Sequence, residues 1–388
     1  MAKGRLLVLY PYRRYYPQHD VFGLLPEYEC YFSAPDSSFA SSSRSRMEFV
    51  DTIYRQLFGT GGLPFARLEH RYIEGLSGIV ERYHPTVIVT FEVFSCISYQ
   101  VQRLRRKYDF RHVVMSDITS DPRRSLWRLA PSTAFFAGEV LRAVDRIICH
   151  TMRGLSAMRG LGIDRQKLTL VPPGIWPPKG SDAIAPTTPP WDILFLGVLQ
   201  RNKGLITLLE ALRLLRRTGL QPRVAIGGKG PLESKIASMA KSIEGVELLG
   251  WVKEEEKDRV FSSAKLFALP SETESVFGLV RWEEQSAIAA IEAMQHGLPA
   301  VGSDSGALPE ILGCPRAVNP QGSSRALARC FRLALESPDW LERLSAFQRR
   351  RARLLYDINS AAKSFSNVMD SLRSDVSVFY PRVELAPT

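Results

Sequence analysis

The tightest constraint on this chain is the order of segments between residues 264 and 306. An apolar run at 266–270 (LFALP) closes on Pro270 and Ser271, and a stretch at 285–295 is rich in Ala, Ile, Glu, Met and Gln. A second apolar run follows at 299–301 (PAV), ending in a Gly, Ser and Asp loop at 302–306. The middle stretch has helix-favouring composition. Strand, loop, helix, strand and loop make one α/β unit with two loops at the same sheet edge, where open α/β sheets bind ligands.

Two carboxylates, Glu284 and Glu292, sit eight positions apart in that unit. A helix over 285–295 puts Glu284 at its N-terminus and Glu292 two turns further in. The acids then lie on one side, about 12 Å apart at 1.5 Å per residue. That span suits a nucleotide sugar, with one carboxylate near the sugar and the other near the ribose. The diphosphate between them meets free backbone N–H groups at the positive end of the helix dipole. The plainer alternative is an amphipathic helix carrying two solvated acids.

Four more segments share a pattern. Residues 191–197 (WDILFLG) read as the first strand of a Rossmann-like domain, and 198–204 (VLQRNKG) as a loop opening a helix. Residues 223–231 (RVAIGGKGP) read as a strand with a Gly-rich turn, and 246–252 (VELLGWV) as a strand with a short loop. In order and spacing these segments resemble the C-terminal half of a family 4 retaining glycosyltransferase, the glycosyl transferase group 1 type. The combination is specific where each motif alone is weak.

The resemblance implies an α/β chain of the GT-B fold, two Rossmann-like domains facing a cleft. It implies diphosphate binding by Lys203, sugar contact by Glu284 and ribose contact by Glu292. It also places Gly197, Arg201, Gly228, Gly230, Gly250, Trp251, Val252, Gln285, Ser286 and Ala287 at the donor site, with Gly250 to Val252 reading the base through backbone atoms. Val198 stands where the family has Arg, and Arg201, three residues on, is the candidate to reach the same oxygens. The first glutamate has two candidates: Glu284, with the right spacing to Glu292, and Glu274, followed by Phe277-Gly278. With Glu284, residues 272–282 form an insertion. Lys203, Glu284 and Asp117 are the catalytic candidates. Metal and cofactor are not expected, because cations and N–H dipoles stabilise the leaving group.

The N-terminal half carries less. Strands are expected at 6–10, 86–90, 112–115 and 146–149, an exposed polar loop at 34–46 and a helix-rich segment from 47 to 83. The family's Gly-Gly loop is replaced by Pro11-Tyr12-Arg13-Arg14, and its His-Asp pair by Ser116-Asp117. Asp117 either contacts acceptor or donor sugar or caps the next turn. His19 and His150 are candidate cleft residues, with a structural role the commoner reading of a lone histidine. A segment at 170–175 resembles the family's end of the N-domain, with Pro173 replacing Asn. The expected domains are therefore 1–175, a Pro-rich linker at 176–190 and a donor domain at 191–356. A C-terminal helix within 357–388 is expected to pack on the first domain.

With 388 residues, two domains are the prior. No apolar run of about 18 residues appears, so no span is expected. Five scattered cysteines point to a reducing compartment, and the expected location is cytoplasmic. A net charge of +11 comes with no nucleic-acid-binding motif. Basic clusters at 103–107 and 123–128, the second interleaved with Trp127, Phe135 and Phe136, suit either a solvated face or the inner surface of an anionic membrane. The expected function is transfer of a hexose-type sugar from a UDP- or GDP-sugar to a glycan, lipid-linked or small-molecule hydroxyl. The rivals are a non-catalytic scaffold and a nucleotide-sugar 2-epimerase; the latter needs catalytic acids and histidines in the first domain, a set the sequence does not display.

Overall fold

The structure is a computed structural model and describes residues 3–12, 17–35, 43, 45–56, 71–125, 131–179 and 189–374. The chain divides into two compact units, the first built from Met1–Trp176 with the closing helix, the second from Pro177–Asp357.

In the first unit the elements are β1 (Gly4–Leu9), β2 (Tyr28–Ser33), β3 (Glu48–Val50), β4 (Ile53–Gln56), β5 (Arg71–Glu74), α1 (Leu76–Tyr83), β6 (Val87–Phe91), α2 (Cys96–Leu104), β7 (Arg111–Ser116), α3 (Pro131–Ala143), β8 (Arg146–Cys149), α4 (Met152–Gly160) and β9 (Leu168–Leu170). Seven strands form one sheet in the order β3-β2-β1-β6-β7-β8-β9. Their pairings are parallel; Leu6 pairs with Val87 and Val89 with Val113. β6 is buried along its length and apolar but for Thr90, because helices cover both faces of a parallel sheet.

The segment 47–83 departs from its expected helical content. Among its described residues only α1 is helical, whereas β4 and β5 pair antiparallel, Ile53 with Glu74 and Gln56 with Arg71. The aromatic and β-branched residues Tyr54, Ile53, Tyr72 and Ile73 favour a pleated surface, and Arg55 clips the pair to Glu74 at 2.6 Å. That pairing is set by a partner strand some twenty residues away, which local propensity does not register. Residues 57–70 and most of the polar loop at 34–46 lie outside the described residues.

In the second unit follow β10 (Trp191–Leu196), α5 (Leu205–Arg217), β11 (Val224–Gly227), α6 (Glu233–Ala240), β12 (Val246–Gly250), α7 (Lys257–Ser262), β13 (Ala264–Leu269), β14 (Glu274–Val276), β15 (Leu279–Trp282), α8 (Ile288–Gln295), β16 (Ala300–Ser303), α9 (Leu308–Leu312), β17 (Val318–Asn319), α10 (Ser324–Glu336) and α11 (Pro338–Leu355). The sheet order is β12-β11-β10-β13-β16-β17, again parallel. The chain winds outward from β10 to β12, then crosses back to β13 and winds the other way. The reversal falls between β10 and β13, and a crevice at that point is where such sheets take ligands.

The closing helix α12 (Ile358–Ser374) belongs to the first unit. Phe365 packs edge-on to Phe22 at 5.4 Å between ring centroids, and Ile358 N–H donates to the Ile175 carbonyl at 3.1 Å. Trp176 donates its indole N–H to Asp20 at 2.6 Å, so the first residue of the Pro-rich stretch is fixed to this unit. Residues 180–188 of that stretch lie outside the described residues. Among the described residues no helix is long and apolar enough to cross a membrane.

Candidate functional site

Lys203 ends a single tight turn, Arg201–Lys203, in the loop that follows β10. Gly204 follows with φ 67°, and a Cβ there would overlap the Pro270 carbonyl oxygen. Only glycine lets the loop after β10 press against the loop after β13. This contact brings Lys203 Nζ within 2.7 Å of Glu284 Oε2, across 81 positions of sequence. Glu284 Oε2 also accepts from Ser271 Oγ at 2.5 Å. Its own carbonyl accepts from Ala307 N–H at 2.8 Å, where Gly306 again leaves no room for a Cβ. The Lys203 and Glu284 side chains are 16% and 6% exposed. Charges so far out of water are tolerable only because each compensates the other.

The helix begins later than its composition suggests. α8 starts at Ile288, and Ala287 before it lies in the left-handed region at φ 41°. Glu284 therefore precedes the helix on an irregular approach segment with Gln285, Ser286 and Ala287, instead of sitting at the helix N-terminus. The left-handed residue interrupts helical continuation, at a cost of about 1 kcal/mol for a non-glycine, and the loop at 305–307 holds the Glu284 backbone.

Glu292, inside α8, forms a second pair: Lys257 Nζ donates to its Oε1 at 2.8 Å and also meets Glu254 at 2.8 Å. Burial pushes the Glu292 carboxyl up, against the pull of Lys257. Burial works to lower Lys257, but the two carboxylates outweigh it and hold the ammonium above its usual range.

The glycines of the motif loops meet at the strand ends. Gly197 N–H donates to the Gly227 carbonyl at 3.0 Å, and Gly228 N–H to that of Gly250 at 2.6 Å. Gly230 backs onto Leu199. Val252 is buried, while Trp251 and Arg201 are exposed. Residues 272–282, expected as an inserted loop, form a β-hairpin of β14 and β15 turning at Phe277 (φ 50°) and Gly278 (φ 78°). Phe277 is 99% exposed at its tip. Glu274, the other candidate glutamate, lies on β14 with its carboxylate 4.0 Å from Arg281. The hairpin ends at Trp282, whose ring centroid lies 4.7 Å from Lys203 Nζ. Sequence reading passed over Trp282; its place two residues before Glu284 was the available signal.

The first unit gathers a different set at the same kind of edge. Glu92 follows β6 with φ 63° and is buried. Its carboxylate accepts from Ser116 Oγ and from Asp117 N–H, each at 2.9 Å. His150, after β8, donates Nδ1–H to the Val171 carbonyl at 2.7 Å, because a carbonyl can only accept. Its Nε2 then faces Asp117 Oδ1 at 4.0 Å. His19 is pushed down to about 3, by burial first and by His150 second, and stays neutral. Acids and histidines absent as a motif in the sequence thus come together from the ends of β6, β7 and β8 and from the segment after β1.

Of the basic and aromatic cluster, residues 126–130 lie outside the described residues; Phe136 is buried against Tyr99 at 5.1 Å and Phe135 is exposed. Among the described residues no three His, Cys, Asp or Glu side chains are grouped to hold a metal ion.

Residues 181–351 match the family Glycosyl transferases group 1. The MMP alpha-(1->4)-mannosyltransferase of Mycolicibacterium hassiacum is 34% identical over 167 residues, 41% of this chain and 38% of that protein. The amylovoran biosynthesis glycosyltransferase AmsK of Erwinia amylovora is 30% identical over 203 residues, 50% of this chain and 47% of its own. The matched stretches thus span less than half of these relatives' length. The solved structure of Anabaena HepE in complex with UDP and glucose covers 95% of this chain and 100% of its own, with TM-score 0.71 at 13% identity. Sucrose-phosphate synthase from Thermosynechococcus elongatus covers 96% and 100%, with TM-score 0.68 at 16% identity. Residues 181–351 are thus similar to the glycosyl transferases group 1 family, and the two parallel sheets have the GT-B fold of the solved structures they resemble.

Proposed function

We propose that this chain is a retaining glycosyltransferase that moves a hexose-type sugar from a UDP- or GDP-sugar to a hydroxyl of a glycan, a lipid-linked acceptor or a small molecule. The observation that carries the reading is the buried Lys203–Glu284 pair at the reversal point of the second sheet. A diphosphate entering there competes with Glu284 for the Lys203 ammonium. Lys203 then stabilises the negative charge that develops on the leaving group. Glu284, released, accepts from sugar hydroxyls and favours the positive charge of an oxocarbenium-like centre. Glu292 takes the ribose hydroxyls in exchange for Lys257. The relative named as a mannosyltransferase and the HepE complex with UDP and glucose support a nucleotide-sugar donor.

The acceptor falls to the first unit. The 4.0 Å gap between His150 Nε2 and Asp117 Oδ1 is too long for a direct hydrogen bond and suits a hydroxyl that meets both. A lipid-linked acceptor at the inner face of an anionic membrane gives the net charge of +11 a role.

The test is thermal unfolding with UDP, GDP, ADP and their sugars, on wild type and Lys203→Ala. A ligand that binds only the folded state raises apparent stability by mass action. One nucleotide family raising the midpoint of wild type and not of the variant supports the donor site and names the base. No shift with any nucleotide overturns the reading in favour of a non-catalytic scaffold, which Val198 in place of Arg also fits.

A further inference from the structure

We propose that Trp282 is a positioning residue for Lys203, keeping its ammonium at the diphosphate site when Glu284 lets go. This rests on the reading of the second unit's edge as a nucleotide-sugar site.

Lys203 has two holds on it: Glu284 Oε2 at 2.7 Å and the Trp282 ring, with its centroid at 4.7 Å. They differ in kind. The carboxylate neutralises the ammonium and takes one of its N–H groups, so an incoming diphosphate must displace it. The indole face attracts the cation through its quadrupole and adds no charge. It leaves the N–H groups for phosphate oxygens. A largely buried lysine deprived of its carboxylate would otherwise relax its long stem toward water, and the ring opposes that.

The base of the hairpin whose far strand ends at Trp282 is fixed where the lysine is fixed. Glu272 N–H, at the hairpin base, donates to the carbonyl of Asn202, the residue before Lys203, at 2.8 Å. Thr207, on the helix that Lys203 leads into, donates Oγ1 to Glu272 at 2.5 Å. Thr273 N–H donates to Gln321 at 2.6 Å, and Thr273 Oγ1 lies 3.1 Å from Ser305 Oγ. The base is thus tied to the turn that carries the lysine and to the loop behind Glu284, while the tip at Phe277 stands in solvent. The anchor also has more to do here, since position 198 is Val and Arg201 is exposed. Lys203 is the cation of this loop that the fold turns inward.

The experiment compares wild type, Trp282→Leu and Trp282→Phe by calorimetric titration with UDP, GDP, uridine and guanosine. We expect Trp282→Leu to bind the accepted nucleoside diphosphate about 3- to 30-fold more weakly. The corresponding nucleoside should bind it as it binds wild type, and Trp282→Phe should recover most of the loss. Equal diphosphate affinity in wild type and Trp282→Leu overturns the proposal, as does a matching loss for the nucleoside, which marks a general collapse of the site. Wild type binding neither diphosphate overturns the donor-site reading itself, and the Trp282 role with it.

Discussion

The two sheets end in loops of the same kind and carry opposite chemistry. At the second unit's edge a lysine is turned inward and held by a carboxylate and an indole. At the first unit's edge the inward groups are carboxylates and imidazoles, with Glu92 in a left-handed conformation and His19 neutral. An inward ammonium invites an anion, whereas a carboxylate opposite an imidazole invites a hydroxyl hydrogen. The difference teaches that a repeated α/β scaffold leaves the division of labour to the few residues following each strand.

The comparison breaks most severely at Lys203. Lys203→Ala should lower kcat/KM for sugar transfer by about 10²–10³-fold, the scale of losing one leaving-group stabiliser, and should abolish nucleotide-induced stabilisation. Activity retained within a few-fold would place the leaving-group contact elsewhere. Next, Asp117→Asn should cut acceptor-dependent turnover by about 10- to 100-fold while leaving nucleotide-induced stabilisation intact. Loss of nucleotide response in that variant would erase the distinction between the edges.

A third test uses acid. His19 and His112 are both pushed from 6.5 down to about 3, each by burial first, with His150 and Arg105 adding to it respectively. The unfolded chain therefore takes up protons before the folded one does. Stability is complete above about pH 6.5 and drains as pH falls toward 3, by at most about 1.4 kcal/mol per pH unit for each histidine. Unfolding midpoints against pH should show this slope, and His112→Gln should flatten it. An unchanged slope would remove His112 from the account. The smallest effect is a gain: Val198→Arg should tighten nucleoside diphosphate binding about tenfold or less by adding a charge-assisted contact. A weaker complex, read by the same titration, would mean the loop has no room for the second cation.

Much of the second unit was legible because its signals are local. An apolar strand followed by glycines, a lysine in a short loop and two glutamates eight apart each depend on residues within one turn or loop. The start of α8 was not, because Ala287 adopts a conformation that helix propensity disfavours and the loop at 305–307 imposes. Nor were β3, β4 and β5, inside a segment expected to be helix-rich, for a related reason: their partners are distant in sequence.

By itself the sequence determined which segments are strands of parallel sheets in the second unit, where its glycine turns fall and which lysine and acids are candidates, since backbone sterics and side-chain chemistry act residue by residue. Tertiary structure alone decided that Lys203 meets Glu284 rather than Glu274, that Trp282 lies over its ammonium, and that Glu92, Asp117 and His150 come to one edge. Those contacts join residues 25 to 81 positions apart, and sheet order and close backbone approach, which no local stretch encodes, bring them together.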